Sequence, residues 1–332
     1  MMLKLKQKRQ TTKVILAAIL GLFLIQNLQD ESVARHLAAG DDSENETVTP
    51  VYESSDKIVT SGAHRNVVIP DYKLVFFSFP KVGCTEWKAL ARRGRGLPPS
   101  TGGYGSIHGD PAVLKIKGFP EEEVQEMLTS DEWTRATIVR EPKERVLSAF
   151  LDKFVHTHEF TRFCCRGSEE EVEFCKQNQE EKDFHYFLHR TQDCHNEHWA
   201  PQRSFVDEKW WAMMNFVGYM DTFTKDTHSL LSSVKHQVNG TSLWEDVGSA
   251  GWGPEGKTGF MVKDEAAHAT SAHDHLREYY TPCLEMFVKK HWATEWESEY
   301  FHFEPFRLFD ESEYPPYEEC DLQRRNLFEI FN

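Results

Sequence analysis

The sequence predicts an α/β fold in which a central parallel sheet is flanked by helices within a single domain. Two stretches carry this prediction, at residues 74–88 and 137–154, because each has the pattern of a buried strand, a proline-containing turn and a helix. The segment from Val67 to Asn332 has a length typical of one large domain, and no internal repeat divides it.

The first stretch starts with an apolar and aromatic run over residues 74–79. We expect Pro80 to end this strand, Gly83 to let the backbone turn, and Thr85 to cap a helix that begins at the next residue. A tight turn that carries Lys81 and leads into a helix N-terminus favours anion binding, because amide N–H groups and the helix dipole converge there. The turn is therefore predicted to bind a phosphorylated or sulfated group.

A simpler explanation of this turn is also open. Any buried strand can be followed by a capped helix, and Lys81 would then be a solvated charge. The pattern G-x-x-x-x-G-K-[ST] is absent, so the turn does not have the phosphate loop of a magnesium-dependent nucleotide triphosphatase or kinase.

The second stretch predicts a short strand that ends before Arg140, a turn at Pro142 and an amphipathic helix. The apolar stripe of this helix comprises Val146, Phe150 and Phe154. Arg140 and Ser148 can bind one phosphate, the guanidinium through two hydrogen bonds and the hydroxyl through one. The alternative is that both side chains pair with surface carboxylates.

Together the two stretches resemble the Golgi carbohydrate sulfotransferases, in particular the group that contains the HNK-1 and chondroitin 4-O-sulfotransferases. In that family P-K-V-G-C-T-x-W-K binds the 5′-phosphosulfate of PAPS, and V-R-[ED]-P-x-x-R-x-x-S-A-[FY]-x-x-K-F binds its 3′-phosphate. This chain carries the first motif from Pro80 and the second from Val139, in the same order. A third similarity is H-W-x-P-Q at residues 198–202, followed by a strand that ends in Val217-Gly218. The resemblance extends over roughly residues 70–304 and weakens toward the C-terminus.

The resemblance implies the P-loop-like sulfotransferase fold and a PAPS-dependent enzyme. Such an enzyme transfers the sulfuryl group of PAPS to a glycan hydroxyl by in-line displacement and needs no metal ion. The residues of this chain that match the cofactor-binding motifs are Pro80, Lys81, Val82, Gly83, Cys84, Thr85, Arg140, Arg145 and Ser148. Positioning and electrostatic stabilisation dominate this kind of group transfer, so we expect Lys81 to stabilise the departing phosphate.

The proton acceptor of the reaction is assigned to His108, which lies between the two motifs, where related sulfotransferases often have a histidine. A histidine has a suitable pKa for a general base near neutral pH. His198 and Glu86 are the alternatives, and His108 could also be an ordinary loop residue.

The glycan acceptor is expected to contact loops at residues 92–110 and 160–194. Arg92 and Arg93 are candidates for a substrate-facing rim, with a solvated turn as the equally open alternative. His198 and Trp199 are candidates for the acceptor pocket, because aromatic rings pack against sugar faces, although tryptophan is more often found in the core.

The N-terminus predicts a membrane-bound or secreted protein. Residues 1–13 are basic without an acidic residue, and residues 14–25 are uninterruptedly apolar. With the resemblance, we predict a cytosolic tail (1–13) and a signal-anchor segment (14–28) of a type II Golgi membrane protein. The run is shorter than the roughly 20 residues of a typical span, so a cleaved signal peptide and secretion are the alternative.

The luminal part is predicted to consist of a flexible stem (29–66), rich in acidic and hydroxyl residues, and a catalytic domain (67–332). Glycosylation acceptor patterns begin at Asn45 and Asn239, which agrees with a luminal address.

Seven cysteines in a luminal protein predict disulfides, whose pairing the sequence does not specify, with Cys84 as the unpaired residue. The competing hypothesis is a zinc site, for which the spacings do not fit. Its ligands would come from Cys175, His185, His189, Cys194, His195 and His198.

The chain has a formal net charge of −15, which disfavours nucleic acid as a partner. An anionic donor must therefore be bound by local basic groups. The remaining alternatives are a luminal glycan-binding protein with this fold and no turnover, and a protein-tyrosine sulfotransferase.

Overall fold

The computed structural model describes residues 49–53, 55–56, 66–98, 107–248 and 270–320. The predicted tail, the predicted anchor and most of the predicted stem lie outside these residues, as does the first glycosylation pattern. Within the described ranges, no helix combines the length and the apolar composition that crossing a membrane would require.

The described strands form one four-stranded sheet in which sequence neighbours pair. Its strands are β1 (Val67–Ile69), β2 (Leu74–Phe77), β3 (Thr134–Val139) and β4 (Phe216–Tyr219). β2, β3 and β4 are parallel, as predicted, but β1 pairs with β2 in the antiparallel direction. The sheet is therefore mixed, because the 3₁₀ turn Pro70–Tyr72 between β1 and β2 is too short for a parallel crossover.

The α-helices pack around this sheet and extend the fold toward the C-terminus. In chain order they are α1 (Cys84–Gly94), α2 (Glu121–Thr129), α3 (Pro142–Ala149), α4 (Glu159–Cys164), α5 (Glu169–Glu180), α6 (Phe184–Asp193), α7 (Glu208–Trp211), α8 (Phe223–Ser233), α9 (Leu243–Asp246), α10 (Leu276–Tyr279), α11 (Pro282–His291) and α12 (Ala293–Trp296). A π-helix, Phe150–His156, continues α3.

Strand β2 is buried on both faces, which explains its continuous apolar sequence. Leu74 and Phe76 face one hydrophobic cluster, and Val75 and Phe77 face another. Phe76 stacks on Trp87 of α1, with the ring centroids 3.7 Å apart. This packing fixes α1 directly against the strand that precedes it.

The predicted cap of α1 is wrong. The helix begins at Cys84, and its N-cap is Gly83 with φ 77°, without a side-chain capping hydrogen bond. Glycine takes this left-handed conformation at no steric cost, so the turn needs no hydroxyl cap. Thr85 lies inside the first turn, where its hydroxyl contacts His108 instead.

The predicted second stretch is confirmed as strand, turn and helix, although β3 starts earlier, at Thr134. Its apolar stripe is completely buried, since Val146, Phe150 and Phe154 are each 0% exposed. The change from α-helix to π-helix after Ala149 was not predicted, and such π segments are frequent at functional sites.

Gly218 lets β4 approach its neighbours closely. A Cβ atom there would lie 2.5 Å from Ile138 Cδ1 and 3.0 Å from Asp226 Cβ. Asp226 in α8 accepts a hydrogen bond from the Tyr219 amide at 2.8 Å, so the helix cannot easily move away. We expect Gly218→Ala to lower the free energy of unfolding by about 1–3 kcal/mol.

Urea denaturation followed by circular dichroism measures this loss. Gly118→Ala is the matched control, because a Cβ at Gly118 meets no atom within 4 Å. Equal stability of the two variants would contradict the close-approach explanation.

All seven cysteines lie in the described part of the chain, and Cys84 is the free one, as predicted. The disulfides join Cys164 to Cys194, Cys165 to Cys175 and Cys283 to Cys320. The first two brace the helical region around α4 and α5, and the third ties α11 to the C-terminal segment. Because the sulfurs of Cys175 and Cys194 are consumed in disulfides, neither is a thiolate ligand of the zinc site considered above.

A short part of the predicted stem contacts the domain. The Lys209 ammonium pairs with Asp56 at 2.9 Å and donates to the Val51 carbonyl at 2.9 Å. The Tyr52 amide donates to Gln125 Oε1 of α2 at 2.5 Å. The described residues from Pro50 onward belong to the same compact unit as the sheet.

Candidate active site

The turn between β2 and α1 holds Lys81 in an uncommon backbone conformation. Lys81 has φ 71°, in the left-handed region that non-glycine residues rarely adopt. Val82 is fully buried in the core cluster beneath the sheet, and the Pro80 carbonyl accepts a hydrogen bond from Arg145 Nε at 3.2 Å. The turn is therefore anchored on both sides of Lys81.

The Lys81 side chain points toward the π-helix that follows α3. Its ammonium lies 2.7 Å from Asp152 Oδ2, and the two side chains are only 6% and 5% exposed. Burial lowers the pKa of Lys81 to about 8, although the Asp152 carboxylate acts in the opposite direction.

Arg140 follows β3 and reaches the same turn. Its Nη1 donates to the Lys81 carbonyl at 3.4 Å, and its Nε lies 3.4 Å from Glu144 Oε2. Burial lowers the pKa of Arg140, and Glu144 opposes this effect. Lys81 and Arg140 thus meet at the carboxyl ends of two adjacent parallel strands, where α/β sheets place their ligands.

Gln202 fixes the backbone of Arg140. The Arg140 amide donates to Gln202 Oε1 at 2.9 Å, and Gln202 Nε2 donates back to the Arg140 carbonyl at 2.8 Å. Gln202 is itself held by the buried Glu295, which accepts from its side-chain amide at 3.0 Å. The H-W-x-P-Q segment therefore supports the strand end that carries Arg140.

Arg145 is completely buried and bonds to main-chain carbonyls. In addition to Pro80, it donates to Ala200 at 2.6 Å and to Glu197 at 3.0 Å. Burial lowers the pKa of Arg145 to about 10. In this arrangement Arg145 ties the lysine-bearing turn to the 197–200 loop.

Ser148 lies in the last turn of α3 and is 2% exposed. Its hydroxyl is 2.9 Å from the Thr270 hydroxyl, the first described residue after the gap at 249–269. Ser148 lies two residues before the start of the π-helix that carries Asp152.

His108 joins the loop after α1 to the lysine-bearing turn. Its Nε2 lies 3.3 Å from the Thr85 hydroxyl, and its Nδ1 lies 2.8 Å from the ammonium group of Lys88. The Lys115 ammonium donates to the His108 carbonyl at 3.0 Å. The imidazole is thus held by two residues of α1, Thr85 and Lys88.

The arginines predicted for the acceptor rim are engaged near the same loop. Arg92 pairs with Asp110 at 2.6 Å. Burial lowers the pKa of Arg93, with Glu86 acting in the opposite direction.

His198 and Trp199 occupy different environments. The Asn196 side-chain oxygen accepts from the His198 amide at 3.0 Å and lies 2.7 Å from its Nδ1, which donates to it. Trp199 is 2% exposed and packs against Phe160 and Phe187 in the core. In this structure Trp199 is a core residue, and its packing anchors the backbone next to His198.

Sequence reasoning did not identify the carboxylates that neutralise the site, Asp152 and Glu144. A signal was present for Glu144, because it lies four residues after Arg140, a spacing at which ion pairs form on helices. That the π-helix would direct Asp152 at Lys81 could not be read from the sequence.

A comparison with known protein families matches the part of the chain that contains this site. The model of the sulfotransferase family matches residues 64–242, which is more than half of the 332-residue chain. The matched region contains the whole sheet and both motifs.

Individual curated proteins match over shorter segments. Carbohydrate sulfotransferase 8 of Mus musculus is 30% identical over 110 residues, which are 32% of this chain and 26% of that protein. Human carbohydrate sulfotransferase 10 is 33% identical over 106 residues, 29% of this chain and 28% of that protein. The matches thus span about a quarter of the length of these relatives. No solved structure matches significantly.

Proposed function

The chain belongs to the sulfotransferase family, and from this premise we propose that it is a PAPS-dependent carbohydrate sulfotransferase. The acceptor is a hydroxyl group of a glycan on a glycoprotein, proteoglycan or polysaccharide. The observation that carries the proposal is the approach of Arg140 Nη1 to the Lys81 carbonyl, 3.4 Å away, at the ends of β2 and β3.

The residues present fit an anionic donor that has two phosphate-bearing ends. Lys81, the turn at Gly83 and the Thr85 hydroxyl would bind the 5′ side, and Arg140 and Ser148 the 3′-phosphate. Both cations are buried in a chain of net charge −15, and burial lowers the pKa of each, so an anionic partner is favoured there. Arg145 would contribute by holding Pro80 and the turn in place.

PAPS, when bound, supplies the sulfuryl group together with a phosphate leaving group, for in-line displacement by the acceptor hydroxyl. Lys81 provides positive charge for the leaving oxygen, and Arg140 orients the donor through its 3′ end. Preorganised charges of this kind lower the barrier without a metal ion, because they need no rearrangement as negative charge develops.

His108 is our proposal for the general base. It is supported by the 3.3 Å contact of Nε2 with Thr85, which places the imidazole beside the donor turn, as we call the lysine-bearing turn between β2 and α1. A Lys88 ammonium can only donate, so it takes up the lone pair of His108 Nδ1 and leaves the ring hydrogen on Nε2. Nε2 can therefore accept a proton only when Lys88 is uncharged and accepts a hydrogen bond from Nδ1. Arg92, Arg93 and His198 would face the acceptor, with His198 next in line as base.

We also propose that the catalytic domain is luminal and anchored in the Golgi membrane by residues 14–28. Three disulfides support an oxidising compartment, since such bonds are rare in the cytosol. Asn239, the second predicted glycosylation position, is exposed, as an accepting asparagine must be.

The test is binding of PAP, the desulfated product of the donor, to the full-length protein by calorimetry. We expect saturable binding by the parent and a dissociation constant about 10- to 100-fold higher for Arg140→Ala, because a charge-assisted phosphate contact contributes about 1.5–3 kcal/mol. Sulfate transfer from radiolabelled PAPS to glycan acceptors then measures turnover.

Arg203→Ala is the control for the loss of an arginine. Arg203 forms a surface ion pair with Glu208 at 2.8 Å and should leave PAP binding unchanged. A folded parent that does not bind PAP would sink the proposal. Binding without transfer to any glycan would instead favour one of the two alternatives, a glycan-binding protein without turnover or a protein-tyrosine sulfotransferase.

A further inference from the structure

The motifs do not account for the buried carboxylate of Asp152, which contacts Lys81 at 2.7 Å and lies 3.5 Å from the ammonium of Lys153. We propose that Asp152 is a positioning residue that keeps the Lys81 ammonium charged and directed at the donor site before the donor binds. This inference rests on the proposed function of Lys81.

Local structure explains why Asp152 points inward. It belongs to the π-helix Phe150–His156, whose wider turn alters the direction of side chains relative to a continued α-helix. The Asp152 carbonyl accepts from the Thr157 amide at 2.8 Å and from the Thr157 hydroxyl at 2.9 Å. The backbone of Asp152 is therefore held by two hydrogen bonds from Thr157, the residue that follows the π-helix.

The charged groups around Lys81 act on its pKa in opposite directions. Asp152 favours the ammonium, whereas Arg140 and Lys153 disfavour it. Lys153 is drawn partly aside by Glu159, at 3.1 Å. Three cations thus surround the donor turn, and Asp152 is the carboxylate that touches two of them.

Desolvation would otherwise discharge the lysine. A buried ammonium without a partner is costly, and removing one member of a buried pair leaves that cost uncompensated. Arrival of an anionic donor supplies the negative charge that Asp152 supplies in the free protein. Lys81 can then exchange one partner for the other without crossing an uncharged state.

The proposal predicts in which direction each substitution shifts the pH at which Lys81 loses its charge. Its pKa is lowered to about 8 with Asp152 present, so Lys81 is mostly protonated below that pH. Asp152→Asn removes the carboxylate, so the ammonium should be lost at lower pH. Lys153→Met removes a repelling charge, so the ammonium should persist to higher pH.

The experiment follows Lys81 directly by NMR of the full-length protein with ¹³Cε-labelled lysine, in which Lys81→Arg assigns the resonance. For Asp152→Asn we expect the titration midpoint to fall by about 1–3 pH units. For Lys153→Met we expect a smaller rise. The alkaline limb of kcat should move in the same directions.

Two arms keep the inference testable. If Asp152→Asn does not fold, Asp152→Ser, which also removes the carboxylate, is titrated in its place, and a Lys81 midpoint equal to that of the parent overturns the proposal. In a folded Asp152→Asn variant, an unchanged midpoint and alkaline limb overturn it as well. If the midpoints move as expected but the parent neither binds PAP nor transfers sulfate, the proposed function fails while the coupling of Asp152 to Lys81 stands.

Discussion

Replacement of Lys81 by methionine is expected to lower kcat by about 10²- to 10³-fold, the range typical of losing one preorganised charge that stabilises a transition state. Methionine fills a similar volume, so the loss should be one of charge rather than of packing. PAP binding should weaken less than kcat falls, because the leaving oxygen gains its charge only as the bond breaks. Initial rates with radiolabelled PAPS and a glycan acceptor measure the change.

Lys73→Met is the control for this variant. Lys73 lies at the opposite end of β2 from Lys81, immediately before Leu74, and pairs with the exposed Glu132. Its replacement should leave kcat unchanged. If the two variants had the same kcat, Lys81 would not be part of the catalytic machinery.

Replacement of His108 by glutamine is expected to lower kcat by about 10²- to 10⁴-fold, the usual contribution of a general base. The acid limb of the kcat–pH profile should disappear, because this limb reports protonation of the base. The geometric reason is the position of Nε2 beside Thr85 at the donor turn. The measurement is the pH dependence of sulfate transfer by parent and variant.

His236→Gln is the matched control, because His236 packs edge-on against Tyr72 near the start of β2, away from the donor turn. It should retain both limbs of the profile. An acid limb that persists in His108→Gln and vanishes in His198→Gln would transfer the role of base to His198.

The site is a local balance of charge inside an acidic protein. Lys81 and Arg140 are each paired with a buried carboxylate, Asp152 and Glu144. An anionic donor bound as proposed would therefore compete with internal carboxylates as well as with water. Each buried cation is thus neutralised by a neighbouring carboxylate, within a chain whose net charge is −15.

The sequence by itself determined the α/β class and the β2 and β3 strand–turn–helix units. It could do so because hydrophobic periodicity and turn chemistry are local properties, read over windows of about 15 residues. The resemblance assigned Lys81 and Arg140 to one donor, and in the structure the two residues meet because parallel strands bring their carboxyl ends to one edge of the sheet.

Only the tertiary structure decided the antiparallel β1, the disulfide pairing and the partners of each charged side chain. These depend on contacts between residues far apart in the chain, such as Lys81 with Asp152, 71 positions away. Burial then decided the chemistry: Arg145, which matches a phosphate-binding motif, is enclosed among carbonyls, and Trp199 lies in the core. A motif specifies which groups are present, whereas packing fixes which of them water, donor and acceptor can reach.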